Sequence, residues 1–190
     1  MSMNPSRKIV FAAAVLLAST MVSAATSATS ADTAEPVASL GIPNAVQAEP
    51  SLLISGQPNA KQLKAVAKAG YRTVIDLRTQ AEDRGFNEEK TALRADLAYH
   101  NIEVNPDTLN QSKVLYFLMV AREAERPVLL HCSTGARAAA LYYSWLVLEK
   151  GMPEAEALEK ARAAGLRDPL LGQSIQAVVS GLKASQRPKD

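Results

Sequence analysis

The sequence of 190 residues predicts an α/β fold: three layers, with a largely parallel central sheet covered by helices on both faces. Three observations carry this. Short apolar or β-branched runs alternate with helical patterns along the chain. One run, Val128-Leu129-Leu130-His131, is apolar at successive positions, as a strand buried on both faces must be. The pattern that follows it, residues 138–148, is apolar all round, and such a helix is buried all round.

Each element has its own signal. Leu52-Leu53-Ile54-Ser55 predicts a short strand, broken at Gly56-Gln57-Pro58. Asn59 is placed to cap a helix through Leu63, Val66 and Ala67, with Gly70 just past its end. Residues 71–77 (YRTVIDL) predict a strand and residues 79–86 a polar loop. Asn87 is placed to cap a second helix through Leu93 and Leu97. Residues 98–104 read as a strand, with a loop at Asn105-Pro106-Asp107. Residues 110–125 show a helical period that puts Val114, Leu115, Leu118 and Met119 inside. After the 138–148 helix, Gly151 stops the chain and Pro153 starts a helix through Ala157, Leu158 and Ala161. A last helix follows Pro169, with Leu171, Ile175, Val178, Val179 and Leu182 inside.

Composition excludes several functions. A single Cys forbids an intramolecular disulfide, and with two His it gives no thiolate or imidazole zinc cage. The formal charge of +2 gives no electrostatic footprint for nucleic acid. Arg7 and Lys8 precede an apolar run at 9–18 that ends in Val22-Ser23-Ala24, the pattern of a signal peptide over residues 1–24. The run is shorter than the ~20 residues of a comfortable membrane span, so no stable anchor is expected after cleavage. Those two residues are the only charges before the cleavage point, so the remaining chain is formally neutral. Residues 25–41, rich in Ala, Ser and Thr, read as a disordered linker, and residues 42–190 as one domain. The address implied is the periplasm of a Gram-negative bacterium, or secretion from it.

The only Cys stands at a strand end, in His131-Cys132-Ser133-Thr134-Gly135-Ala136-Arg137, directly before the buried helix. A loop between a strand and a helix N-terminus turns backbone N–H groups toward an anion. The helix dipole and Arg137 add positive potential, and the same field is expected to lower the pKa of Cys132. A thiolate inside such a cradle suits attack on the central atom of a bound oxyanion. Gly135 lets the loop turn with its amides inward, and Arg137 offers a planar fork to two oxygens. The competing reading is a buried structural Cys.

The motif His-Cys-x-x-Gly-x-Arg resembles the signature loop of cysteine-dependent protein phosphatases. The chain is more similar still to the bacterial beta-lactamase-hydrolase-like phosphatase domain, a relative of the dual-specificity phosphatases. Pro43-Asn44, Ser55-Gly56-Gln57-Pro58, residues 69–78 (AGYRTVIDLR) and residues 131–137 carry the resemblance in order, over about residues 42–170. It implies a cysteine-phosphatase-like fold without cofactor or metal. It implies that Cys132 is the nucleophile and forms a phosphocysteine, and that Arg137 with the amides of Ser133, Thr134, Gly135 and Ala136 holds the phosphate. His131 would tune the thiolate through hydrogen bonds around it or be a satisfied strand-end histidine. Asp107 would be the general acid, or would end a turn; Glu103 and Asp83 are the weaker candidates for that acid. Arg78 would face the pocket or pair with an acid. The substrate implied is a phosphorylated protein or a small phosphate ester.

Two features depart from the phosphatase pattern. Four residues, not five, separate Cys132 from Arg137, a loop length shared with the sulfur-transferring rhodaneses. Ala138 stands where the phosphatases have a hydroxyl residue. A sulfurtransferase carrying a persulfide on Cys132 and an oxyanion-binding module without turnover are therefore the alternatives.

Overall fold

The computed structural model describes residues 37–185. The expected signal peptide and residues 25–36 of the expected linker lie outside them. A 3₁₀ turn, Val37–Leu40, stands within that linker stretch, and Leu40 is buried with Ile42 against the domain. Packed chain thus begins a few residues ahead of Ile42, because two aliphatic side chains there find a core to enter.

Five strands form one sheet: β1 (Val46–Glu49), β2 (Leu52–Ser55), β3 (Thr73–Asp76), β4 (Ala98–Asn101) and β5 (Val128–His131). Their order is β1-β2-β5-β3-β4. β5 pairs in parallel with both β2 and β3, and β3 in parallel with β4. Only β1 runs antiparallel, folded back on β2 with a register shift between Gln47 and Glu49. The sheet is thus largely parallel, as the sequence predicts. β1 itself is an addition, since VQAE has neither alternation nor β-branched enrichment and gains its hydrogen bonds only by lying beside β2.

Strand side chains alternate between two cores. Leu52, Ile54, Ile75, Val128 and Leu130 face one. Leu53, Val74 and Leu129 face the other. The first face is covered by α3 (Gln111–Glu123), α4 (Ala136–Leu148), α5 (Glu154–Ala163) and α6 (Pro169–Ser185). The second is covered by α1 (Ala60–Lys68) and α2 (Glu88–Leu93). Asn59, Asn87 and Asn110 cap α1, α2 and α3 through side-chain oxygens that accept from the first-turn amides, and Asn59 with Gln62 completes a capping box. α2 ends before Leu97, which lies past Asp96 in a left-handed turn yet is still buried.

The facing of α3 differs from the periodic reading. Phe117 and Ala121 are buried with Val114 and Leu118, whereas Leu115 and Met119 are half exposed. The apolar stripe is wider than one face, and α4 and α6 select the part that carries Phe117. In α4, residues from Arg137 to Ser144 and then Leu146 and Val147 are buried, as its composition requires.

Candidate active site

β5 is the central strand, and its carboxyl end is where an open α/β sheet presents a ligand crevice. Cys132 follows it and is fully buried. The loop to α4 is held from outside by its carbonyls. The Gln57 N–H donates to Ser133 O at 3.1 Å, and Asn44 Nδ2 donates to Thr134 O at 3.1 Å. With the carbonyls so engaged, the Gly135 N–H turns inward and donates to Cys132 Sγ at 3.1 Å. Gly135 caps α4 at φ +95°, and a Cβ there would lie 3.3 Å from the Ser55 carbonyl carbon. Gly56 is equally confined, with Pro43 O at 3.0 Å and Ser133 O at 3.1 Å from an added Cβ. These glycines let the end of β2 and the loop close on each other. Ser133 and Thr134 are exposed, so the rim of the loop is open above its floor.

Arg137, in the first turn of α4, returns to the same loop. Its Nη2 donates to Ser133 Oγ at 2.9 Å and to Glu82 Oε2 at 2.6 Å. Its Nη1 donates to Glu82 Oε1 at 2.7 Å, Val104 O at 2.8 Å and Leu77 O at 3.3 Å. Nη1 is thereby anchored just beyond the ends of β3 and β4, and both terminal nitrogens to Glu82 in the 79–86 loop. Burial opposes its charge, but Glu82 and Cys132 more than offset this and hold its pKa above the ordinary value.

Glu82 was not visible as a site residue, because it lies 55 positions from its partner in a polar loop. The hydrogen bonds from Arg137 pull its carboxyl down to about 2 from an ordinary 4.5. A carboxyl depressed on folding adds stability that is complete above its unfolded value and is lost as pH falls toward the folded one. The gap in thermal midpoint between wild type and Glu82→Gln is therefore expected to be constant above about pH 5 and to shrink below it. A gap at pH 3 equal to that at pH 7 would remove the ion pair from the account.

Asp107 lies in a 3₁₀ turn, Pro106–Thr108, capped by Asn105 Oδ1. Its carboxylate is exposed and makes no hydrogen bond or ion pair among the described residues. The turn starts just beyond Val104, whose carbonyl binds Arg137. Asp83 and Glu103, the weaker acids, have local work. Asp83 Oδ1 accepts from the Gly85 N–H, and Glu103 Oε1 from the Gln80 N–H.

Beneath the loop lies a buried ionic cluster. Arg78 Nε and Nη2 donate to the two oxygens of Asp76 at 2.9 and 3.0 Å, and Nη2 also meets Glu88. Arg78 thus pairs with acids rather than facing the pocket. Tyr99 donates to Asp76 Oδ2 at 2.8 Å, and Arg84 approaches the same oxygen at 3.5 Å. Burial alone would raise the Asp76 carboxyl, but Arg78 and His131 hold it below its usual value.

His131 joins this cluster to Cys132. Its Nδ1 lies 3.4 Å from Cys132 O. Its Nε2 stands 2.8 Å from Glu88 Oε1, a distance that makes an ion pair if the ring is protonated, though the two atoms are not aligned as a directed hydrogen bond. His131 therefore touches the backbone of Cys132 and not its sulfur. Ligand atoms of Asp76, Glu88 and His131 lie within 4.8 Å of one another, as metal ligands would. Arg78 already delivers positive charge to both carboxylates, so the donor set is matched to a guanidinium rather than to a cation from solution.

Comparison with known proteins decides the family. Residues 15–176 match the family described as DSP-PTPase phosphatase fused to NAD+ kinase. The chain belongs to this DSP-PTPase family. Its members are hydrolases of the protein tyrosine and dual-specificity phosphatase class. Among similar curated proteins are two beta-lactamase hydrolase-like proteins of Xylella fastidiosa. The one from strain Temecula1 is 31% identical over 155 residues, 68% of this chain and 36% of that protein. The one from strain 9a5c is 35% identical over 116 residues, 58% of this chain and 27% of that protein. The chain thus spans about a third of the length of these relatives. A DUF442 phosphatase-class structure from Shewanella putrefaciens CN-32 superposes with a TM-score of 0.64 at 26% identity, covering 76% of this chain and 94% of that one. Pseudomonas aeruginosa TpbA, solved in complex with pTyr, shares the fold at a TM-score of 0.61 and 21% identity, covering 77% of this chain and 91% of that one. The Ser133 hydroxyl accepts from Arg137 Nη2 at 2.9 Å, and Ala138, the next residue of α4, carries no hydroxyl.

Proposed function

We propose that the chain is an exported cysteine-dependent phosphatase that cleaves phosphomonoesters through a phosphocysteine. The contact that carries this reading is the Gly135 N–H directed at Cys132 Sγ, with Arg137 gathered at the same loop. An amide and a guanidinium gathered at one loop favour an oxyanion bound beside the sulfur.

In the first step the Cys132 thiolate attacks phosphorus as the ester P–O bond breaks, and the departing oxygen takes a proton from Asp107. In the second, water attacks the phosphocysteine, the S–P bond breaks back to thiolate, and the proton returns to Asp107. Arg137 and the amides of residues 133–136 hold the phosphate oxygens throughout. No cofactor or metal takes part. A phosphotyrosine or a small aryl phosphate is the favoured substrate, in keeping with the pTyr complex of TpbA.

The acid role of Asp107 has a specific signature. Asp107→Asn is expected to slow alkyl phosphates by about 10²-fold or more and to leave esters of acidic phenols within a few fold, since only poor leaving groups need the proton. Equal slowing of both would reject the role. The loop length favours sulfur transfer as a second reading, and a thiosulfate-to-cyanide assay on the same protein separates the two. Export rests on Arg7, Lys8 and the apolar run at 9–18. Protein recovered from the periplasm should begin at Ala25, and an N-terminus retaining Arg7 would overturn it.

A further inference from the structure

A cavity lies at the opposite end of the sheet from Cys132. It holds about 470 Å³, within the size range of small-molecule sites. Leu52, the first residue of β2, lines it together with Trp145 of α4. Arg126, Lys150 and Lys160 add three cations. The Arg126 guanidinium and the Lys150 ammonium stand 5.4 and 5.6 Å from the centre of the Trp145 ring. A small void of about 20 Å³ shares Leu52, Arg126 and Trp145 with the cavity and is otherwise mostly apolar.

The charges here do not cancel. Glu49 is the only acid in the lining, and it already accepts from the Tyr142 hydroxyl at 2.5 Å and lies 3.9 Å from Lys160. Arg126 makes one hydrogen bond, to Ala121 O at 2.8 Å, and no ion pair among the described residues. The other arginines that are half-buried or more are each set on a carboxylate: Arg78 on Asp76, Arg84 on Asp76 and Arg137 on Glu82. Burial lowers the Arg126 pKa with nothing opposing it. A partly desolvated guanidinium without a counter-charge costs free energy that an anion in the cavity would recover.

We propose that this cavity binds a small organic anion, its charged group between Arg126 and Lys150 and a short apolar body against Leu52 and Trp145. Arg137 and Trp145 are eight residues apart on α4, about 12 Å along the axis, so the cavity is separate from the phosphate loop. An oxyanion supplies what the two cations lack, and the apolar lining favours one that carries a hydrocarbon group over a bare inorganic ion.

Trp145 is the only Trp in the chain, so its fluorescence reports on this cavity directly. The full chain is titrated with phenylphosphonate, which the proposed phosphatase cannot cleave, and separately with inorganic phosphate. A saturable change in emission is expected, with Kd about 1 mM or tighter for phenylphosphonate. Affinity should fall about tenfold in Arg126→Met and in Lys150→Met, and be unchanged in Arg137→Met. Lys150 is exposed, so its variant decides the matter if Arg126→Met does not fold. Three results would overturn the proposal: no saturation, a response lost in Arg137→Met but kept in Lys150→Met, or equal affinity for inorganic phosphate. None depends on Cys132 chemistry, so failure here leaves the proposed activity standing.

Discussion

Replacing Cys132 by serine is expected to cut hydrolysis of a generic aryl phosphate by roughly 10⁴-fold or more, with the fold retained. The hydroxyl occupies almost the same volume and still accepts from the Gly135 N–H, so the packing at the end of β5 survives. What is lost is nucleophilicity, because a hydroxyl is a far weaker acid and nucleophile than a thiol. Steady-state rates with purified protein, beside circular dichroism of both forms, make the comparison. Activity within a few fold of wild type would end the covalent mechanism and return Cys132 to a structural role. A burst of released phenol in the wild type, followed by slower turnover, would show the phosphocysteine accumulating.

The largest expected effect on stability lies in the buried ionic cluster that His131 joins. Arg78→Met should lower unfolding free energy by about 3–5 kcal/mol, since it leaves the Asp76 and Glu88 carboxylates buried without their guanidinium. That is a large share of the ~5–15 kcal/mol typical of a domain. The control is Arg72→Met. Arg72 meets Glu125 only at 4.0 Å with both side chains mostly exposed, and its loss should cost about 0–1 kcal/mol. Urea unfolding of the two variants side by side reads the difference as a shift in midpoint at unchanged slope. Equal, small shifts would mean that water enters the cluster and screens it.

The parts of the site legible in the sequence are those whose signals are local. His131 to Arg137 is one contiguous stretch in which strand, turn and helix follow directly. The Asn caps of α1, α2 and α3 are local for the same reason. Glu82 and Glu88 were not legible. Glu82 reaches Arg137 across 55 residues, and Glu88, which also meets Arg78 ten residues before it, reaches His131 across 43. Nothing in a polar loop distinguishes a carboxylate that will be drawn inward from one that stays in water. A Glu just after an Asn cap, as Glu88 is, looks like a helix-dipole residue, and only burial shows its second use. The exposed faces of Leu115 and Met119 have a related cause. Periodicity gives the apolar width of a helix but not which part of it a neighbour will cover. β1 escaped because an edge strand draws its identity from its partner.

The Arg137–Glu82 pair joins a buried helix to a segment without helix or strand, two regions expected to differ in amide exchange. Arg137 belongs to α4, whose backbone hydrogen bonds are shielded by both neighbouring helices and sheet, and whose amides should exchange only through global unfolding. Glu82 belongs to a segment without helix or strand, whose amides should exchange through small local openings. The guanidinium is therefore the fixed member and the carboxylate the one that can leave. Under the proposed mechanism an incoming phosphate would meet an arginine already in position, and the cost of admitting it would fall on the loop at 79–86 rather than on the core.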